Sequence, residues 1–364
     1  MQPSGNLPCA IVDRGNEKEQ VIGESNDIIE ALDELSLLSS PTRKKTPTLR
    51  PAGQEDRIRD LCDNGRESLE RRLYARWMWW LTGVRKPQEY KDIFLEHWQE
   101  VDDALAKTPG PYFLGKELSV VDLRFIPFVE RQIASLTYFK GADYLRDPAK
   151  YPNIVKWLEA MESRPSFQAT KSDYYTHSRA LPPQLAAECA AEPGCEEMQA
   201  AIDSLPTLDG SSDWFEPGWE WSRKDASLEA AAQLVAGKSK IVSFCARGAG
   251  IAGFPAASAP LADPAATPND AAIPALDLLL RYVTMSLLGK SNPSILSEAV
   301  SRLDTTSCES LARCLDYLRA RIGVPRDMTY PAAQDLRRAL LLVSNLLATK
   351  QSNKDMVAEK VLAA

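Results

Sequence analysis

The stretch Phe113-Leu-Gly-Lys-Glu-Leu-Ser119-Val-Val-Asp122 decides how this chain is read. It has the form of a helix start. The Ser119 hydroxyl is placed to accept from the Asp122 amide while the Asp122 carboxylate returns to the Ser119 amide, a capping box with Asp in place of the usual Glu or Gln. Leu118 before the cap and Leu123 after it can close a hydrophobic staple. Ser119 and Asp122 are therefore read as a structural cap, opening a helix expected to run through Phe128 and Ile133 to about Ser135. A second start follows at Tyr151-Pro152-Asn153, with Ile154, Val155, Trp157, Leu158 and Met161 on one stripe and an end before Arg164-Pro165.

Upstream of these two helices the pattern is also helical. A helix is expected over about 54–82, irregular at Asn64-Gly65 and closing on Tyr74, Trp77, Trp79 and Trp80. Another begins at Pro87, carries Tyr90, Phe94, Trp98, Val101 and Leu105, and stops at Pro109-Gly110. Residues 37–56 hold Pro41, Pro47 and Pro51 without an apolar period, which marks a linker. Before them, residues 8–23 read as a β-hairpin turning at Arg14-Gly15-Asn16. A helix capped by Ser25 should follow, with Ile28, Ile29, Leu32 and Leu35 on one face, to about residue 36.

Downstream, residues 178–222 lose periodicity and read as a connector onto which Trp214, Trp219 and Trp221 dock. Helical patterns return at about 225–246, 270–288, 307–322 and 329–349. Thr306 and Glu309 suggest a second capping box, and Gly323 a C-terminal cap. The expected fold is mainly α. It divides into a short β-hairpin and helix (1–36), a linker (37–56), a helical bundle (57–170), a connector (171–224) and a second helical region (225–350).

Composition narrows the function. The 364 residues carry 43 Lys and Arg against 50 Asp and Glu, a net charge of -7, and the one basic run, Arg43-Lys44-Lys45, is too short to serve nucleic acid. No window reaches the roughly 18 apolar residues of a membrane span. Seven cysteines, odd in number and never in C-x-x-C spacing, suggest a reducing, intracellular setting rather than a disulfide framework. With only His97 and His177 available, no metal site is assigned.

Two blocks resemble a known family. Leu7-Pro8-Cys9-Ala-Ile-Val-Asp13, then Val21-Ile-Gly-Glu24-Ser25, is similar to the second half of the thioredoxin-like domain of glutathione transferases. Phe113 to Asp122 and Tyr151 to Pro165 resemble the helical C-terminal domain of that family, in the same order. Residues 321–333 look like the extended C-terminus of plant and algal plastid members, which implies the plastid stroma or the cytosol.

The resemblance implies glutathione as ligand. Pro8 would be cis, with the Leu7 backbone paired to the cysteinyl amide of glutathione. Glu24 and Ser25, at a helix N-terminus, would receive the γ-glutamyl ammonium and carboxylate. Trp77 and Trp80 would wall the pocket of a hydrophobic electrophile, and the family forms homodimers. In that family the sulfur-activating residue ends a first strand, and this chain begins just before the third. The catalytic residue is therefore unknown. Cys9 follows the proline inside a strand with no base near it in sequence, and is not a replacement.

Other signals have plainer readings. Gly248-Ala-Gly250-Ile-Ala-Gly253 has dinucleotide-fingerprint spacing, but the prolines after it deny the helix that must begin there, so it reads as the end of an Ala-rich helix at a loop. His97, beside Trp98, reads as a hydrogen-bonded core histidine. The function expected is glutathione conjugation or related chemistry by lineage. The alternative is a non-enzymatic binding or assembly module built on the helical bundle.

Overall fold

The computed structural model describes residues 9–13, 15, 19–38, 48–185, 189–204, 216–219, 225–253 and 266–362. It divides into two compact units, Met1–Gln132 with Tyr144–Met161, and Ile133–Asp143 with Glu162–Ala364. The fold is mainly α.

In the first unit, strands Cys9–Val12 and Gln20–Gly23 pair antiparallel, with Cys9 opposite Gly23 and Val12 opposite Gln20. Asp13 and Gly15 turn the hairpin with positive φ. The helix Ser25–Leu38 follows at once. It is tied to the bundle through residues 48–50. Asp33 accepts from the Leu49 amide and the Thr48 hydroxyl, while Arg50 bridges Glu30 and Asp63 at 2.7 Å each. The Leu49 carbonyl then accepts from the Val120 amide at 2.9 Å.

The irregularity at Asn64-Gly65 separates a π-turn at Arg59–Asp63 from a 3-10 turn at Gly65–Glu67. Regular helix resumes at Leu69–Thr82, and Pro87–Ala106 packs against it. Trp77, Trp80, Phe94 and Trp98 fill the interior between them. The helix opened by Ser119-Val120 runs over Val120–Lys140, past the expected Ser135, because its stop is Gly141. That glycine sits at φ 61, and its amide bonds the Thr137 carbonyl. Pro152–Glu162 begins where its proline placed it.

The second unit holds more helix than its sequence pattern suggested. The stretch read as a connector contains Tyr174–Gln184 and Glu196–Ser204, and buries Tyr174, Tyr175, Cys195 and Ile202. Trp219 stacks on Tyr330, whereas Trp214 and Trp221 lie outside the described residues. The pattern at 225–246 is broken at Gly237 into Ala226–Ala236 and Lys238–Cys245. Helices Ile273–Leu287, Pro293–Ser301, Thr305–Arg319 and Tyr330–Leu362 complete the unit.

Two expected caps are corrected. Asp304, not Thr306, caps the helix Thr305–Arg319, accepting from the Ser307 amide and hydroxyl at 2.9 and 2.7 Å. An Asp two residues earlier wins because its carboxylate accepts both donors. Gly323 lies beyond that helix, where its amide donates to Asp327 at 2.7 Å. The glycine run at 248–253 follows a helix, not a strand. A Cβ on Gly248 would fall 2.5 Å from the Arg313 carbonyl, and one on Gly250 would fall 1.9 Å from that of Thr267. Close backbone packing accounts for both glycines.

Candidate functional site

The hairpin register places one end of the sheet beside the start of the first helix. Cys9, the first residue of its strand, lies opposite Gly23, from which Glu24 and Ser25 leave directly into that helix. Leu7 and Pro8 themselves fall outside the described residues. The helix includes Ser25, so Glu24 occupies the capping position, its carbonyl accepting from the Ile28 amide at 3.1 Å. Glu24 has φ 63, a left-handed conformation that non-glycine residues adopt at a cost. Glu24 and Ser25 are both exposed, and Asp27 stands in the first turn. A helix N-terminus offering amides beside a carboxylate suits a zwitterionic end group, the amides taking its carboxylate and Glu24 its ammonium.

The aromatic run divides by side. Trp77 is 2% exposed and Trp80 is 0% exposed, so both rings are spent on the core, Trp80 against Phe94 and Trp77 against Tyr74. Trp79 is 47% exposed. Its ring lies 4.0 Å under the Arg76 guanidinium and, with Thr82, Gly83 and Tyr90, lines a small cleft. The ring that this run offers to a ligand is therefore that of Trp79. Spacing alone could not separate it from its neighbours, because the four helical residues 77–80 span most of the helix circumference.

Asp122 does more than its cap requires. Its Oδ2 accepts from the Ser119 amide at 2.9 Å and the Ser119 hydroxyl at 2.6 Å, so that hydroxyl donates to the carboxylate instead of accepting from the Asp122 amide. Its Oδ1 accepts from the Phe113 amide at 3.1 Å and from Trp157 Nε1 at 2.9 Å. Burial pushes the Asp122 carboxyl up, and these donors pull it back. Asp102 plays a similar part unforeseen in the sequence. It reaches from the helix Pro87–Ala106 to accept from the Asn153 and Ile154 amides at 2.9 and 2.8 Å, capping Pro152–Glu162 from outside. Its only sequence signal was an acid between Val101 and Leu105 on an apolar stripe. His97 is buried, its Nδ1 2.9 Å from the Ile93 carbonyl.

No disulfide joins any of the seven cysteines. Cys9 is exposed on its strand, whereas Cys62 is buried and its thiol pushed up to about 12 by desolvation. Among the described residues no group of three His, Cys, Asp or Glu side chains could hold a metal ion, and no helix is long and apolar enough to cross a membrane.

With this geometry in place, similarity to known proteins is informative. Residues 87–160 match the family described as glutathione S-transferase, C-terminal domain. Glutathione S-transferase L1 of Arabidopsis thaliana is 40% identical over 75 residues, 20% of this chain and 30% of that protein. The glutathione S-transferase-like protein OpS6 of Beauveria bassiana (strain ARSEF 2860) is 41% identical over 76 residues, 20% of this chain and 32% of that protein. Glutathione S-transferase L2, chloroplastic, of Arabidopsis thaliana is 26% identical over 156 residues, 42% of this chain and 46% of that protein. The chain spans less than half the length of these relatives. No solved structure gives a significant match.

Proposed function

We propose that this chain, whose residues 87–160 belong to the glutathione S-transferase C-terminal domain family, binds glutathione at the end of its hairpin and serves glutathione-dependent chemistry. One observation carries the reading. The register of Cys9 with Gly23 sets the strand that follows Leu7-Pro8 beside Glu24 and Ser25, where a residue in left-handed conformation opens a helix. In this reading the Leu7 backbone pairs with the cysteinyl amide, and Ser25 and Glu24 take the γ-glutamyl end. A hydrophobic electrophile approaches the exposed face of Trp79. No side chain of this chain is assigned to activate the sulfur. The unbridged cysteines, together with the chloroplastic relative, support a reducing compartment, the plastid stroma or the cytosol. Family habit favours a homodimer.

The second reading is a non-enzymatic binding or assembly module. It is favoured by the extent of residues 162–364, which lie beyond the matched segment and build a core of their own. Thermal shift and turnover separate the two. Glutathione should raise the melting temperature of the wild type and not that of Glu24→Ala, because a ligand that binds only the folded state stabilises it. Conjugation of an aromatic halide above the buffer rate assigns an enzyme. A glutathione-dependent shift without turnover assigns the module, and no shift in the wild type removes the glutathione reading.

A further inference from the structure

In the second unit the segment Glu216-Pro217-Gly218-Trp219 is seated on residues far from it in sequence. Lys171 Nζ donates to the Gly218 carbonyl at 2.8 Å and the Pro217 carbonyl at 3.3 Å, and Gln168 Nε2 donates to the Gly218 carbonyl at 3.0 Å. The Glu216 carboxyl accepts from the Tyr174 amide at 3.0 Å and from Trp219 Nε1 at 2.7 Å. The Trp219 ring stacks on Tyr330 with centroids 4.4 Å apart, and Lys171 Nζ sits 4.6 Å over it. Gly218 has φ 81, and a Cβ there would fall 1.9 Å from Glu162 Oε1, so this position admits no side chain. These contacts fit the segment to one seat.

The charges beneath it do not balance. Three acids, Glu162, Asp173 and Glu216, are buried with two bases, Lys171 and Arg337. Arg337 pairs with Asp173 and also donates to the Thr176 hydroxyl and the Ile322 carbonyl. Lys171 pairs with Glu162 at 2.9 Å and gives its other hydrogens to the two carbonyls of the segment. Neither cation donates to Glu216, whose two donors are neutral groups, and Lys171 offsets its burial only through space. A third carboxylate taken into a buried site on those terms is held far better with a proton than without one.

We propose that Glu216–Trp219 is a proton-coupled clasp: seating it takes up one proton at Glu216, so the segment is held at low pH and released as pH rises. The groups facing Glu216 leave it the one that titrates near neutrality. Asp173 is held low by Arg337 and stays ionised, Arg337 is raised, and burial drives the Tyr330 hydroxyl well above its usual range. Burial, with repulsion from Asp173, pushes Glu216 itself from 4.5 up to about 8. Between those values the seated segment holds a proton that the released one lacks, so seating weakens with pH and levels off above about 8. Release would also remove a wall from a groove of 820 Å³ that Trp219 and Tyr330 line with Gln168, Glu229 and Asp327.

Amide hydrogen exchange on the full chain between about pH 6 and 9, corrected for intrinsic rates, tests this. Protection at Tyr174 and across 216–219 should fall about tenfold per pH unit up to about pH 8 and then level. Glu216→Asp should keep the slope and Glu216→Gln should abolish it. A flat profile in the wild type, or a slope that survives in Glu216→Gln, overturns the proposal. If Glu216→Gln does not fold, the wild-type profile decides alone.

Discussion

Trp157 donates its indole N–H to Asp122 Oδ1 across 2.9 Å, and both side chains are fully buried. The relationship turns a local cap into a tertiary hub. One carboxylate collects the turn at Phe113, the helix start at Ser119 and the middle of the helix Pro152–Glu162. These are also the blocks on which the family resemblance rests.

The two members of the cap should therefore cost unequally. Ser119→Ala removes one hydroxyl and should cost about 1 kcal/mol. Asp122→Ala leaves the Phe113 amide and the Trp157 indole without acceptors in the core and should cost about 3 kcal/mol or more. Urea unfolding of both variants measures the difference. Equal losses would show that Asp122 acts only as a cap.

Asp173 and Arg337 form a fully buried pair in the second unit. Asp173→Asn strands the guanidinium and should cost about 3–5 kcal/mol. Because Arg337 lowers the Asp173 carboxyl below its ordinary value of 3.8, the pair's contribution is complete above that pH. It is lost as pH falls through the lower value in the folded state. Acid unfolding followed by circular dichroism should thus be shallower in Asp173→Asn than in the wild type, and parallel acid curves would contradict the assignment.

Much of the fold was legible where punctuation and period agreed. Pro87 and Pro152 opened helices where they stand, and Gly15 marked the hairpin turn. The larger misses share one cause, because each depended on a partner distant in sequence. Asp102 caps a helix some 50 residues away, and nothing local at Val101 or Leu105 reveals it. The helices Tyr174–Gln184 and Glu196–Ser204 carry too few apolar residues to show a period. Their order comes from contacts such as Tyr138 with Asp203 at 2.8 Å and Arg337 with Asp173. At the candidate site, Glu24 and Ser25 were readable as residue types, whereas the backbone strain at Glu24 and the burial of Trp77 and Trp80 belong to tertiary structure.

The aromatic run supplies a contrast between neighbours. Trp80→Ala should cost about 3–5 kcal/mol because it empties a core site. Trp79→Ala should change stability by less than about 0.5 kcal/mol, since its ring is half exposed. Similar losses in thermal unfolding would mean that Trp79 is packed in solution.

Gly248→Ala tests the reading of the glycine run as packing. Its Cβ would press on the Arg313 carbonyl and on Cys314 Cα at 2.7 Å, so the variant should lose about 1–3 kcal/mol. Unchanged thermal unfolding would refute close packing as the reason for the glycine.

Titration of the chain with glutathione, followed by amide NMR at Gly23 to Ile28, bears most directly on the central claim. Among the described residues the sheet that holds Glu24 and Ser25 has two strands, with Ile11 and Val21 exposed, and weak pre-organisation means weak binding. The account predicts saturable shifts at these amides with a dissociation constant of about 1 mM, removed by the double change Glu24→Ala and Ser25→Ala. Amides that stay unmoved at about 20 mM glutathione, or that shift equally in the double variant, would contradict it.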